Sequence, residues 1–386
     1  MPYALNATRR LVFTAALAGL AWTGAAGAEP EFEPRGRMHM DGGFHQEDDV
    51  ALDNDLLFRR ARLGVDGSLD GDWDFKLEYD FAEDDVSAKG VYLSRALGEG
   101  NVRIGHFKAP VGLNELTSSN DITFIERASS NNIVAVGRRI GLGYSRFGTQ
   151  FGGQVMAYGR SMGATTQGDM QTGLAGRLVF TPVKTADQLI HLGLSAAHED
   201  RGDQNTVGVS DRPEARPAGE RLINTGDLAD VDATTRGGLE AAWRAGPFSL
   251  EAEYLQAELD RANNANPSFG GYHVQGSWVL TGESRAYGGG SFGGVSPAGP
   301  AGAWELAARY SHADLNDAGV RGGEQNNATL GLNWYATDQV RFMANAIAVD
   351  VQGADAQVGE DDDGNPIFGP GDEAPRIFLL RAQYSF

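Results

Sequence analysis

From Trp73 to Phe81 the chain reads WDFKLEYDF, with a large apolar group at every odd position and Asp74, Lys76, Glu78 and Asp80 between them. Alternation at period 2 puts the two sets on opposite faces of a β-strand. One face needs an apolar neighbour and the other needs water or counter-charge. The pattern returns in Ile140, Leu142 and Tyr144, in Ile190, Leu192 and Leu194, and in Phe248, Leu250, Ala252 and Tyr254. It returns again in Trp304, Leu306, Ala308 and Tyr310, in Leu330, Leu332 and Trp334, and in the terminal FLLRAQYSF.

About sixteen such segments of about ten residues are predicted, the length a tilted strand needs to cross a bilayer. Connections such as ALGEGN, FGTQ, RAGP and YATD are short. HQEDDVALDND and the stretches 109–137, 199–232 and 352–375 are long. Short periplasmic turns and long extracellular loops alternate in this way in an outer-membrane barrel. The expected fold is therefore all-β, a closed antiparallel transmembrane β-barrel. A soluble β-sandwich shares the alternating strands but not the alternating connections. The Gly-rich connection Thr281 to Ala303 breaks the rule, being long at a predicted turn.

The N-terminus supports export. Arg9 and Arg10 precede an apolar run that closes with Ala26, Gly27 and Ala28, the pattern of a cleavable secretory signal. Residues 1–28 are expected to be removed near Ala28, leaving 29–386 as the barrel in the cell outer membrane. No later run of eighteen apolar residues suggests a spanning helix. With no cysteine, disulfides cannot staple the exported chain.

Without Arg9 and Arg10 the 32 basic residues fall to 30 against 52 acidic, a net charge of −22. Nucleic acid is thus not an expected partner. The acids are concentrated, however: 24 of the 52 lie in 47–55, 83–85, 199–232 and 355–373. These predicted outer loops either contact lipopolysaccharide through divalent cations or are simply solvated.

A lipid-facing Lys or Arg near the midplane costs about 2–4 kcal/mol, so the residues between the apolar sets should line a watery lumen. They include Arg60, Arg62, Lys76, Arg103, Arg139, Arg177, Arg236, Arg244, Arg309, Arg341 and Arg381. Guanidinium groups offer fixed donors to oxyanions. Inward acids including Asp66, Glu78, Asp80, Glu240, Glu251, Glu253 and Glu305 could equally pair with them, as in a general porin. The third long loop, 109–137, is expected to fold inward and narrow the channel, with a short helix over 122–128 and Lys108, Glu126 and Arg127 at the constriction.

Enzymatic signals are poor. The seven histidines lack metal spacing, no G-x-S-x-G occurs, and YGGGSFGG lacks the lysine of a phosphate loop. GEDDDGNP lacks the distal Glu of a calcium loop. Neither a metal nor any other cofactor is expected.

LFRRARLGVDGSLDGDWDFKLEYDF (57–81), VRIGHFKAPVGLNEL (102–116), GGYHVQGSWVLTGESRAY (270–287), GAWELAARYSHADLND (302–317) and TLGLNWYATDQVRFMANAIAVD (329–350) resemble the phosphate- and pyrophosphate-selective porins of Gram-negative outer membranes. The resemblance implies sixteen strands, a homotrimer, and an arginine ladder guiding small anions past inward-folded loops. FRRAR and HFKAP match family motifs, so Arg59, Arg60, Arg62 and Lys108 carry that role by resemblance. The four lysines of the mature chain depart from the lysine-rich pore mouths of selective members. Passive diffusion of phosphate or polyphosphate is the leading expectation. A weakly selective porin, or an adhesin with a plugged lumen, are the alternatives.

Overall fold

Strand amides inside a bilayer have no water to bond, so a spanning sheet must close on itself. In the computed structural model, which describes residues 30–46, 48–69, 72–82, 85–164, 170–203, 205–360 and 366–386, it does so. The first strand, β1 (Glu31–Gln46), pairs antiparallel with β2 (Leu56–Leu69) on one side and with the last strand (Arg376–Ser385) on the other. Gly36 and Phe386 exchange backbone hydrogen bonds of 3.0 and 3.1 Å, locking the seam. The signal segment expected over 1–28 lies outside the described residues.

The ring continues through β3 (Trp73–Asp80), β4 (Ser87–Leu97), β5 (Gly100–Lys108), β6 (Arg138–Phe147), β7 (Phe151–Tyr158), β8 (Thr172–Lys184) and β9 (Gln188–Asp200). It then passes through Val231–Ala245, Phe248–Arg261, Ser268–Val279, Ala303–Asp317, Val320–Tyr335 and Val340–Ala354. Sixteen strands close the barrel, with every neighbour antiparallel. Along WDFKLEYDF the inner set is Lys76, Glu78 and Asp80, while Leu77 and Phe81 are exposed on the outside.

Two departures from simple alternation have physical causes. The connections are less regular than expected, because Asp317 and Val320 are joined by only Ala318 and Gly319 at the loop end. Both adopt positive φ, 52° and 86°, as a two-residue hairpin matched to strand twist requires. The inner face is also apolar in places. Leu255, Leu259, Phe269, Ile347, Val349 and Val351 turn inward near the loop end and are buried against Val111, Ile125, Val134, Leu222 and Ile223 of inserted loops. The hydrophobic core thus lies between wall and loops rather than within a layer of its own.

The Gly-rich connection 280–302 enters the barrel from the turn end. Tyr287–Gly288 and Ser291–Phe292 form a small hairpin whose two-residue tip, Gly289 and Gly290, has φ of 56° and 76°. A Cβ on Gly290 would stand 2.5 Å from the Phe147 ring and 3.1 Å from Arg177 Nη1, so only glycine fits there. Arg177 donates to Gly290 O at 2.9 Å, and Tyr287 OH lies 2.6 Å from His191 Nδ1. Arg285 in the same segment is buried and donates to Thr123 Oγ1 at 2.5 Å and to Asp121 O.

This docking makes Arg285 a hidden trypsin site. Gly290→Ala should cost about 1–3 kcal/mol of local strain and expose it, so digestion of the folded barrel should yield a cut after Arg285 that is absent in the unaltered protein. Equal resistance of both would show that the tip tolerates a side chain.

Candidate ion pathway

The loop 109–137 leaves β5 and turns into the lumen, carrying two short helices, α1 (Leu113–Leu116) and α2 (Ser129–Val134). The helix expected over 122–128 is absent; this stretch consists of bends. Its carbonyls are taken by the wall. Arg341 donates to Ile122 O at 2.9 Å and to Thr123 O at 3.2 Å, Asn333 to Thr123 O at 3.0 Å, and Arg309 to Glu126 O at 3.0 Å. Tertiary donors have replaced the i→i+4 ladder.

Glu126 is the pivot. Arg59 Nε approaches its carboxylate at 2.5 Å, Arg381 Nη2 at 3.5 Å and Arg60 Nη2 at 3.9 Å. Consecutive residues of a strand normally face opposite sides. Here β1 pairs His39 with Arg60 and then Met40 with Phe58, so Arg59 is the extra residue of a β-bulge and both arginines reach inward. Burial alone would raise the Glu126 pKa, but Arg59, Arg60 and Arg381 outweigh it and hold the carboxyl far below the ordinary range. Arg381 also grips Asp41 through two bonds of 2.6 Å.

The remaining expected pathway arginines divide into two groups. Arg139 and Arg236 converge on Glu199 at 3.3 and 3.8 Å, Arg309 pairs with Glu214, and Arg341 lies 3.8 Å from Glu305. Arg139 and Arg236 thus brace strand against strand, while Arg309, Arg341, Arg59, Arg60 and Arg381 hold loops to the wall, and none of them lines the main polar cavity. Arg244 donates to the carbonyls of Arg285, Thr185 and Ala186. Arg62, Arg103, Lys108, Arg127 and Arg177 do line the cavity.

That cavity, of about 400 Å³, is bordered by the wall from β1 to β8, the loop residues Leu116, Ser118 and Ser119, and the tip residues Gly289 and Ser291. Five further basic residues face it: Arg35, Arg37, Lys76, Lys89 and Arg138. Of these only Lys76 was expected in the lumen. Arg35 and Arg37 continue the inward set of His39 and Asp41 in β1, a period-2 signal that was available in EFEPRGRMHMD. Arg138 is hidden by its neighbour, because alternation selects only one of two adjacent arginines. It stands opposite Lys108 at the end of the β5–β6 ladder.

Ten basic side chains thus line the cavity against one acid, Glu78. Asp66, Asp80, Glu115 and Glu240 stand behind them in ion pairs, which leaves a surplus of five positive charges. Glu115 shows the field. Burial would raise its carboxyl, but Arg127 at 3.0 Å and Lys108 at 3.3 Å bring it down to about 2. Arg103 lies 4.3 Å from the centre of the Tyr92 ring and 5.3 Å from that of Phe107, held by the aromatic faces and, among the described residues, by no carboxylate.

From the loop end, the hairpin of Val207–Asp211 and Ile223–Leu228 folds over the loop 109–137. Glu214, at φ 55°, accepts from Ser129 N at 2.9 Å and Ser311 Oγ at 2.5 Å. Asn132 Nδ2 donates to Asp211 Oδ1 at 3.0 Å.

Comparison with known proteins places this geometry among porins. A family model described as phosphate-selective porin O and P matches residues 32–386. An uncharacterized protein of Caulobacter vibrioides is 30% identical over 358 residues, covering 87% of this chain and 72% of its own. Porin O of Pseudomonas aeruginosa is 27% identical over 406 residues, covering 93% and 89% respectively. Among solved structures, an anion-selective porin from Comamonas acidovorans superposes with a TM-score of 0.61 at 14% identity, covering 93% of this chain and all of the other. A trimer form of OmpT, an outer membrane protein of Vibrio cholerae, gives 0.60 at 12%, covering 92% and 99%.

The Asp211 contact titrates in an accessible range. Burial first, and then the nearby Glu214 charge, push its carboxyl up to about 8. The docked hairpin therefore favours the protonated acid. Docking should be strongest below the ordinary pKa of 3.8, weaken steadily as pH rises, and level off once pH passes about 8. Hydrogen-exchange protection of 207–228, corrected for intrinsic rate, should fall between pH 5 and pH 9. Asp211→Asn should abolish that fall; a fall retained in the variant would assign it to another group.

Proposed function

Since the chain belongs to the family of phosphate-selective porins O and P, and is an outer-membrane porin, we propose that it passes small anions, phosphate and polyphosphate foremost, by diffusion through a basic constriction. The observation that carries this reading is the charge of the cavity lining, ten basic residues against one acidic. A phosphate oxygen crossing it would exchange water for guanidinium and ammonium donors already oriented by the wall. No bond is made or broken, and the surplus charge supplies the preference. Arg62, Arg103, Lys108, Arg127 and Arg138 are the residues we assign to the pathway, with Glu126 and its arginines setting the position of the constricting loop.

A weakly selective porin is the second reading. It is favoured by Glu31, Glu33, Asp66 and Asp74, which surround Lys76 at the turn-end mouth and oppose the basic zone. We also propose a homotrimer. The strands β3 and β7 have eight residues each. Tilted by about 45°, such a strand reaches about 19 Å, less than the apolar band of about 25 Å. Subunit contact along that low wall would cover the mismatch, and the OmpT of Vibrio cholerae has a trimer form. Cleavage near Ala28, and contact of the acidic outer loops with lipopolysaccharide, belong to the same proposal.

Planar-bilayer recording tests it. The reversal potential in a salt gradient should report anion preference, and phosphate added to a chloride bath should block the chloride current. Arg138→Ala should reduce the anion-to-cation permeability ratio about tenfold, since a unit charge about 6 Å from a passing ion in water favours an anion and opposes a cation by ~0.7 kcal/mol each. A cation preference in the unaltered protein would overturn the proposal, while weak anion preference without phosphate block would select the second reading.

A further inference from the structure

Glu251 and Glu253 both turn inward from the strand Phe248–Arg261. The neighbouring strand Ser268–Val279 pairs His273 with Glu253 and Gln275 with Glu251, bringing an imidazole between the two carboxylates. All three side chains are buried. His273 Nε2 lies 3.3 Å from Glu251 Oε1 and 3.8 Å from Glu253 Oε2. Among the described residues these carboxylates form ion pairs with His273 alone. Asp41, Glu126, Glu199, Glu214 and Glu240 differ in that each faces a guanidinium.

The other ring nitrogen, His273 Nδ1, lies 3.3 Å from Ser130 Oγ. An Nδ1–H donated to that hydroxyl leaves the Nε2 lone pair aimed at two groups that can only accept. Three acceptors then converge; Glu251 Oε1 also accepts from Gln275 Nε2 at 3.0 Å and Asn114 Nδ2 at 3.2 Å, but these neutral donors leave the two negative charges unbalanced. The spacing of the three acceptors is that of ligand atoms around a small cation with bonds of about 2.0–2.2 Å. The Ser130 contact is the kind of outer hydrogen bond that orients a ligating imidazole.

Asn131 holds Glu253 from the loop side. Asn131 is fully buried, and its Oδ1 has no hydrogen-bond partner. That oxygen borders Gly112, on the side of Glu253 Oε1, which accepts the Leu113 amide. Asn131 Nδ2 donates to Glu253 Oε2 at 2.9 Å, which fixes the orientation of the amide.

We propose that Glu251, Glu253 and His273, with Asn131 Nδ2 orienting Glu253, bind a divalent cation that clamps the constricting loop to the barrel wall. A +2 ion offsets both carboxylates, and the imidazole favours zinc over magnesium or calcium. The clamp reaches both helices of the loop. Glu253 accepts the backbone amides of Leu113 and of Asn114, the latter at 2.9 Å, while Asn131 and Ser130 belong to α2. Histidine spacing in the sequence gives no hint of this, because the strand register of a hairpin, rather than a local motif, brings residue 273 to residues 251 and 253.

The test uses the full barrel purified in detergent, loaded with Zn²⁺ and dialysed against metal-free buffer, with retained metal measured by elemental analysis. One Zn²⁺ per chain should remain, and excess Mg²⁺ or Ca²⁺ should not displace it. His273→Gln and Glu251→Gln should lose it, and Asn131→Ala should weaken retention about tenfold. Co²⁺ should replace Zn²⁺ with visible absorption that disappears in His273→Gln. Heat-dependent gel migration reports whether each variant still forms the barrel. If His273→Gln does not fold, the milder Asn131→Ala decides. Failure of the unaltered barrel to retain Zn²⁺, or equal retention by folded variants, would overturn the proposal.

Discussion

A guanidinium held against a carboxylate away from bulk water is the contact that lets a polar loop occupy the inside of this barrel. Burying either charge alone would cost several kcal/mol, and the pair compensates only when its geometry and remaining hydrogen bonds are good. Glu126 meets that condition with Arg59, Arg60 and Arg381, and Arg381 is further satisfied by Asp41. Glu214 does the same from the loop above by meeting Arg309 and Ser311. The turn-end hairpin depends on Arg177, which serves Glu240 and Gly290 O together. Three connections from both ends are thus fastened by the same chemistry, and their positions define the cavity between them.

The fastening divides the inner arginines by function. On the strands from Ala303 to Ser385 the guanidinium groups of Arg309, Arg341 and Arg381 are spent on loop carbonyls and buried acids. On β1 to β6 many of the basic groups, Arg59, Arg60 and Arg139 excepted, face a cavity with fewer acids than cations. A count of inward arginines therefore overstates the charge offered to an ion. What matters is which wall the inserted loops cover, since a covered arginine has become structural and an uncovered one still faces water.

The strands were legible in the sequence because their period is set by the pleat alone. WDFKLEYDF shows which face meets lipid without any knowledge of its partners, and the segments ending in Tyr310 and Trp334 do so equally well. Legibility failed where a residue's environment is supplied by distant chain. The inward side of Leu255 and Ile347 is apolar because loops rest on it, and the stretch 122–128 is not helical because Arg309, Arg341 and Asn333 take its carbonyls. Arg59 turns inward through a bulge defined only by its pairing with β1. The Gly-rich connection carried its signal as two consecutive glycines, which suit a hairpin tip, but nothing local says that such a hairpin points into the barrel.

The acidic composition of the whole chain and the basic lining of the cavity are compatible because electrostatic influence in salt solution is short-ranged. At physiological ionic strength the screening length is about 8 Å, so exposed acids at the loop tips contribute little to the potential at a narrow inner zone. The acids that do count lie within that distance. Glu78 touches Arg37 and Arg62, and Glu115 touches Lys108 and Arg127. They also hold those side chains in fixed positions, which a cavity lined by cations alone would lack, since like charges would repel one another into solvent. At the turn-end mouth, Asp66 binds Arg35 and Lys76 at 2.7 and 3.5 Å and so reduces the effective charge of the lower rim. Deeper in, Arg103 and Arg138 form no ion pair among the described residues, so the positive charge of the lining is less offset there than at the rim.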